Sequence, residues 1–101
     1  AGIEILLREA GIEAEEIDHF VVAGAFGTYI DIDSAIRVGM FPDLPRDRFQ
    51  QVGNAAGMGA VLLLLSQETR RSAAKAAQMI DYVELTTYAA FQNEFIRYMT
   101  F

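Results

Sequence analysis

The chain has 101 residues, 52% of them hydrophobic, and a formal net charge of −6 at pH 7. This length and apolar content predict one folded domain with a modest core, and the acidity argues against nucleic acid as a partner, because a phosphate backbone selects basic surfaces. The chain has no cysteine and one histidine, which excludes disulfides, iron–sulfur ligation and a histidine-rich metal site within it.

Neither a secretion signal nor a membrane span is predicted. The first residues lack a basic region ahead of an apolar run, and the longest apolar run, Ala60–Leu65, is far too short to cross a bilayer. We therefore expect a cytoplasmic protein with no membrane partner. Because the sequence begins at Ala1 in the middle of an amphipathic helical pattern, we also expect the chain to be a piece of a longer protein.

The first half of the chain is predicted to alternate between helices and strands. Apolar residues three and four positions apart indicate a first helix that ends at Gly11. Asp33 is a suitable cap for the short second helix, and Gly39 is a suitable stop. β-branched and aromatic residues indicate two strands, although Gln50 and Gln51 weaken the second pattern. The four elements are predicted at residues 2–10, Asp18–Ala23, Ser34–Val38 and Arg48–Gly53.

A long helix opens the second half of the chain. Asn54 is a suitable cap for it, and the helix is predicted to run from Ala55 to about Gln67. Its segment Val61–Leu65 is apolar on all sides, which predicts a central, buried helix. Glycine inside a helix costs about 1 kcal/mol relative to alanine. Gly57 and Gly59 therefore indicate close approach by a neighbour, either a packed element or a bound ligand.

Three further predictions complete the fold. Ser66 or Thr69 is expected to cap the next helix, which runs through Met79 with its alanines on the inner side. Alternation over Asp81–Thr86 predicts a third strand, and helical spacing predicts a last helix at Tyr88–Met99. The fold class is therefore predicted to be α/β, with a small sheet of about three strands flanked by four or five helices.

Two glycine-rich segments carry most of the functional information. In Phe20–Asp31, a buried strand runs into a turn bracketed by Gly24 and Gly27, and Val52–Ala60 follows the second strand with further glycines and alanines. Paired glycines let the backbone turn sharply and approach a bulky group, and ligands collect at the carboxyl ends of strands in α/β proteins. Motifs for a nucleophile–base pair, a zinc protease or a phosphate-binding loop are missing from the sequence, so no catalytic residue is predicted.

These segments resemble those of a known protein family. The stretches VVAGAFGTYIDIDSAIRVGMFPDLP, VGNAAGMGAVLLLLS and DYVEL…FQNEF closely resemble the C-terminal region of the reductive activators of corrinoid proteins. That family belongs to the superfamily of actin, sugar kinase and heat-shock chaperone ATPases. The resemblance covers essentially the whole chain, so the chain is interpreted as the C-terminal part of an actin-like ATPase domain.

The resemblance implies a function for the parent protein. Members use ATP, with Mg²⁺, to drive electrons from a [2Fe–2S] cluster in an N-terminal ferredoxin-like domain to a Co(II) corrinoid protein of a methyltransferase system. The two phosphate-binding segments of the superfamily and the ferredoxin cysteines are outside this chain. The chain alone is therefore expected to be inactive, while the parent is expected to be an ATP-dependent activase.

The resemblance also assigns candidate binding residues. Gly24, Ala25, Phe26 and Gly27 correspond to the adenosine motif and are expected to lie against the adenosine or the α-phosphate. Many members have glycine where this chain has Ala25, which affects the expected tightness of binding. Asn54 joins the candidate set because the VGNAAGMGA helix is similar to the connecting helix at the hinge between the two lobes.

Two further hypotheses stay open. One is a non-catalytic docking or dimerisation module for the corrinoid partner with a vestigial nucleotide site, which the alanine-rich helices and the apolar C-terminus would suit. The other is a small acidic α/β domain with no ligand. The expected partners are the corrinoid protein and the remainder of the chain's own ATPase domain, with self-association of the isolated piece through exposed apolar surface.

Overall fold

A computed structural model of the protein, which describes residues 1–100, confirms the α/β class. Within those residues the chain forms five α-helices and a sheet of two strands, rather than the three expected. The elements are α1 (Gly2–Ala10), β1 (Phe20–Val22), α2 (Ile32–Arg37), β2 (Phe49–Gln51), α3 (Ala55–Leu65), α4 (Gln67–Met79) and α5 (Ala89–Arg97).

The two strands are parallel and in the register Phe20 to Phe49, Val21 to Gln50 and Val22 to Gln51. Parallel strands need a crossover connection, which here contains α2. At the amino ends of the strands, the ring of Phe20 lies 5.0 Å from that of Phe41 and 5.1 Å from that of Phe49. Such tilted aromatic pairs add about 0.5–1.5 kcal/mol beyond the burial of their area, so this cluster fixes the pairing of β1 and β2.

Local end signals predicted from the sequence are confirmed. Gly11 ends α1 in the left-handed conformation at φ +68°. The side chain of Asn54 accepts a hydrogen bond from the backbone N–H of Gly57 at the start of α3, at 2.9 Å. Ser66, rather than Thr69, caps α4, since its hydroxyl accepts from the N–H of Thr69 at 3.2 Å.

The last helix returns to pack on the first. Ile5 of α1 is fully buried, and the carboxylate of Glu94 in α5 is also buried, with only 8% of the residue exposed. Arg8 donates to that carboxylate at 2.8 Å, and Arg97 lies 3.5 Å from it. Two cations thus compensate one buried carboxylate, which would otherwise be costly to remove from water.

The start of α2 differs from the prediction. The helix begins at Ile32, so Asp31 and not Asp33 occupies the cap position. The carboxylate of Asp31 accepts a hydrogen bond from the hydroxyl of Ser34, which lowers its pKa. Asp33 instead pairs with Arg46 across the crossover, at 2.6 Å. Either aspartate fits a cap by type, so residue type alone does not place the start of this helix.

The predicted third strand at Asp81–Thr86 is wrong, because the segment is irregular and leads into a short 3₁₀ turn, Leu85–Thr87. An alternating pattern shows that a sequence suits a strand, but it does not show that a partner strand is available. Here local hydrogen bonds form instead of strand pairing, since the carboxylate of Glu84 accepts from both the N–H and the hydroxyl of Thr86. These bonds lower the pKa of Glu84.

The prediction that α3 is central and buried is also wrong for this chain. No residue of α3 or α4 is buried, and Leu64 and Leu65 are 77% and 79% exposed. The two helices pack mainly on each other, and the guanidinium of Arg70 donates to the last carbonyls of α3 at Leu63 and Leu64. The radius of gyration is 15.9 Å, above the ~13 Å of a compact chain of this length.

Despite the apolar character of α3, no helix among residues 1–100 combines the length and hydropathy needed to cross a membrane.

Candidate functional site

The two glycine-rich segments lie side by side at the carboxyl edge of the sheet. Beyond the last paired residues, the N–H of Val52 donates to the carbonyl of Val22 at 3.0 Å, and the N–H of Gly24 donates to the carbonyl of Gly53 at 2.9 Å. Parallel pairing thus brings the end of β1 and the start of α3 to one place. The structure joins the two segments that the sequence singled out separately.

The turn after β1 is held by its own backbone. Gly27 donates its N–H to the carbonyl of Gly24 at 3.0 Å, and Tyr29 donates to Phe26 at 3.1 Å within a 3₁₀ turn, Gly27–Tyr29. The hydroxyl of Thr28 reaches back to the carbonyl of Ala25 at 3.1 Å. We call residues 24–30 the glycine loop.

The two glycines of this loop are needed for different reasons. Gly24 has a φ of +107°, which L side chains rarely adopt, although a Cβ there would meet no protein atom within 4 Å. Gly27 is buried, and a Cβ there would lie 3.0 Å from Cγ1 and 3.2 Å from the carbonyl oxygen of Val22. Gly24 is therefore explained by backbone conformation, and Gly27 by close packing against the strand.

Gln51 is a part of the site that sequence reasoning missed. Its side-chain amide nitrogen donates to the carbonyl of Gly27 at 2.6 Å and to that of Ile30 at 2.8 Å. In the sequence, Gln51 lies inside the strand predicted at Arg48–Gly53, where it only weakens the strand pattern, whereas the observed β2 ends at Gln51. The structure shows that this residue ties β2 to the glycine loop.

The glycines in α3 do not mark close packing within the described residues. A Cβ on Gly57 would lie 2.3 Å from the side-chain nitrogen of Asn54, so this glycine leaves room for the cap itself. A Cβ on Gly59 would meet no atom within 4 Å. The oxygen of Asn54 is engaged in the cap, which gives this candidate binding residue a structural role at the edge of the site.

The surface of the site is exposed, aromatic and free of charge. Phe26 and Tyr29 are 85% and 87% exposed, and Ala25 is exposed as well. Tyr29 was not among the candidates. Residues 23–30 and 52–67 contain no charged side chain, although the whole chain carries −6. A neutral surface of this kind admits an anion that most of this acidic protein would repel.

Two other features of the described residues bear on which ligand the site could hold. Among the described residues there is no group of three or more His, Cys, Asp or Glu placed to hold a metal ion. A surface cleft of about 520 Å³ lies elsewhere, lined by α1 and the segment after it, with Glu4, Glu13 and Glu15 among its walls. Because that cleft is acidic, the glycine loop remains the better candidate for an anionic ligand.

Comparison with known proteins decides the family. The family model described as the C-terminal domain of RACo, the ASKHA domain, matches residues 1–101. The chain belongs to this family. It is thus a C-terminal ASKHA-domain segment, as the sequence resemblance predicted.

Two curated relatives are similar to this ASKHA segment. The corrinoid activation enzyme RamQ of Eubacterium limosum is 33% identical over 95 residues, which cover 94% of this chain and 16% of the relative. The [Co(II) methylated amine-specific corrinoid protein] reductase of Methanosarcina barkeri is 28% identical over 93 residues, covering 90% and 17%. The segment therefore spans about one sixth of the length of these relatives.

Gly24→Ala is expected to destabilise the ASKHA segment by about 1–3 kcal/mol, because it places an L side chain at a φ of +107°. Gly53→Ala is the matched control, since Gly53 is hydrogen-bonded to Gly24 but offers open space to a Cβ. Urea unfolding of the two variants measures the difference. Equal destabilisation by both would contradict the assignment of strain to Gly24.

Proposed function

We propose that these 101 residues form the nucleotide-side subdomain of a longer polypeptide, called here the full-length protein. That protein is proposed to be an ATP-dependent activator that reduces the Co(II) corrinoid protein of a methyltransferase system. The observation that carries the proposal is the glycine loop, which is fixed beside the start of α3 at the carboxyl edge of a parallel sheet. The membership of the chain in the ASKHA-domain family supports a nucleotide as the ligand.

The residues present fit an adenine nucleotide. Gly24, Ala25, Phe26 and Gly27 form one turn, in which Ala25 and Phe26 are exposed and Gly27 is buried against β1. At Gly24 the turn is open, since a Cβ there would meet no protein atom within 4 Å. The exposed ring of Phe26 offers a face on which a flat base can stack. When bound with Mg²⁺, ATP supplies the free energy of phosphoryl transfer. The residues of this chain hold and orient its adenosine side.

The names of the relatives support the corrinoid partner. One is a corrinoid activation enzyme, and the other is named as a reductase of a Co(II) corrinoid protein. Electrons are proposed to come from a [2Fe–2S] cluster. The cluster is placed elsewhere in the full-length protein, because this chain has no cysteine to ligate iron.

We propose a cytoplasmic location for the whole system.

The rest of the ATPase domain is proposed to cover α3. This helix exposes Leu64 and Leu65 almost fully, together with Met58, and it begins at the candidate site. Exposed apolar surface of this extent marks an interface. Because the relatives are about six times as long as this chain, a second lobe of the same polypeptide is the occupant that we propose.

Calorimetric titration with ATP tests the proposal on the full-length protein, with Gly24→Leu as the variant. The full-length protein is expected to bind ATP, and the variant to lose binding while it still binds the corrinoid protein, because the side chain would enter the ligand space beside Gly24. The 101-residue chain is expected not to bind, since it lacks the second lobe. If the variant instead lost only corrinoid binding, the docking-module alternative would replace the proposal.

Leu64→Glu is expected to change the free energy of unfolding by different amounts in the 101-residue chain and in the full-length protein. In the 101-residue chain the side chain is solvated, so the free energy of unfolding should change by less than about 1 kcal/mol. In the full-length protein it would bury a charge and cost about 3 kcal/mol or more. Gln92→Glu, at an exposed position of α5, controls for the added charge. The same small effect in both lengths of chain would show that α3 stays uncovered.

A further inference from the structure

We infer that Gln51 is the positioning residue of the nucleotide site, holding the glycine loop in its binding conformation. The inference rests on the proposed function of that loop and adds a residue that neither the family resemblance nor the candidate set contains. Gln51 itself is not expected to touch the nucleotide. Its effect is transmitted through the two loop carbonyls that it binds.

The geometry assigns this role to the side-chain amide. The nitrogen of Gln51 lies 2.6 Å from the carbonyl oxygen of Gly27 and 2.8 Å from that of Ile30. Carbonyl oxygens only accept hydrogen bonds, so the group that faces them must be the NH₂, whose two N–H groups both find partners. One side chain therefore fixes both ends of the 3₁₀ turn, Gly27–Tyr29.

The position of Gln51 makes these bonds effective. It is the last residue of β2, and its backbone is paired with Val22, the residue that packs on Gly27. The side chain thus anchors the loop to the paired strands. The backbone bond from Gly24 to Gly53 holds the start of the loop beside the residues that follow β2, and Gln51 holds the rest of it.

The neighbouring residue supplies a matched control. Gln50 is adjacent on the same strand and of the same type, but its side-chain amide faces His19 at 3.4 Å and makes no bond to the glycine loop. A substitution at Gln50 changes the same strand by the same number of atoms. Any difference between the two positions therefore reports on the loop.

The experiment measures ATP turnover and ATP affinity of the full-length protein carrying Gln51→Met or Gln50→Met. Methionine matches glutamine in length, adds no charge that would repel ATP, and has no donor. Loss of two hydrogen bonds is expected to raise the KM and the Kd for ATP about tenfold in Gln51→Met, and less than twofold in Gln50→Met. The kcat at saturating ATP should stay within about twofold, because the adenosine side of the nucleotide does not change in the chemical step.

A second variant keeps the test valid if Gln51→Met folds poorly. Gln51→Asn retains both donors on a side chain one methylene shorter, so it should also weaken ATP binding without loss of fold. Hydrogen exchange of the free protein adds a readout independent of ATP: the N–H groups of Gly27 and Tyr29 should exchange faster in the Gln51 variants than in Gln50→Met.

The possible failures are distinguishable. If the wild-type protein binds ATP and the Gln51 variants bind it equally well, or if kcat falls while KM is unchanged, the positioning role is wrong and the proposed function stands. If the wild-type protein does not bind ATP, the proposed function fails and this inference fails with it.

Discussion

The parallel pairing of two three-residue strands is the constraint on which the site depends. Because Phe20 is paired with Phe49 and Val22 with Gln51, the carboxyl ends of β1 and β2 lie side by side. The pairing continues through the backbone bond from Gly24 to Gly53. A shift of one residue would turn every side chain to the opposite face, separate that pair, and take Gln51 away from the loop. So short a sheet is stabilised by the cluster of Phe20, Phe41 and Phe49 at its amino end.

The glycine loop and α3 form one unit because of this pairing. The loop presents exposed aromatic and small residues, and the uncharged start of α3 lies directly beside it. The same helix continues into the exposed leucines that we assign to the interface with the second lobe. Under the proposed function, a ligand at the loop and a lobe on α3 would therefore contact the same helix. Nucleotide binding would then have a physical route to the packing of the two lobes.

Features set by neighbouring residues were predictable from the sequence, and features set by distant partners were not. Gly11 and Asn54 were predicted correctly because a left-handed helix end and an N-cap depend on a few adjacent residues. The strand expected at Asp81–Thr86 failed because alternation does not supply a partner strand. Leu64 was expected in a core because it is apolar, but burial needs a second surface, which these residues do not contain.

The candidate site shows the same division. The four residues of the turn, Gly24 to Gly27, could be found from glycine spacing after a strand and from the family pattern. Gln51 could not, since its role depends on reaching carbonyls 21 and 24 positions away along the chain. A polar residue at the end of a short strand has many possible uses, and only the folded backbone selects one.

The most direct test is hydrogen–deuterium exchange of the full-length protein with and without ATP. If the glycine loop and the start of α3 form the adenosine surface, ATP should slow exchange in residues 24–30 and 53–57 and leave α5 unchanged. ATP binding that leaves exchange unaltered in both segments would contradict the account, because the nucleotide would then be held by another part of the protein.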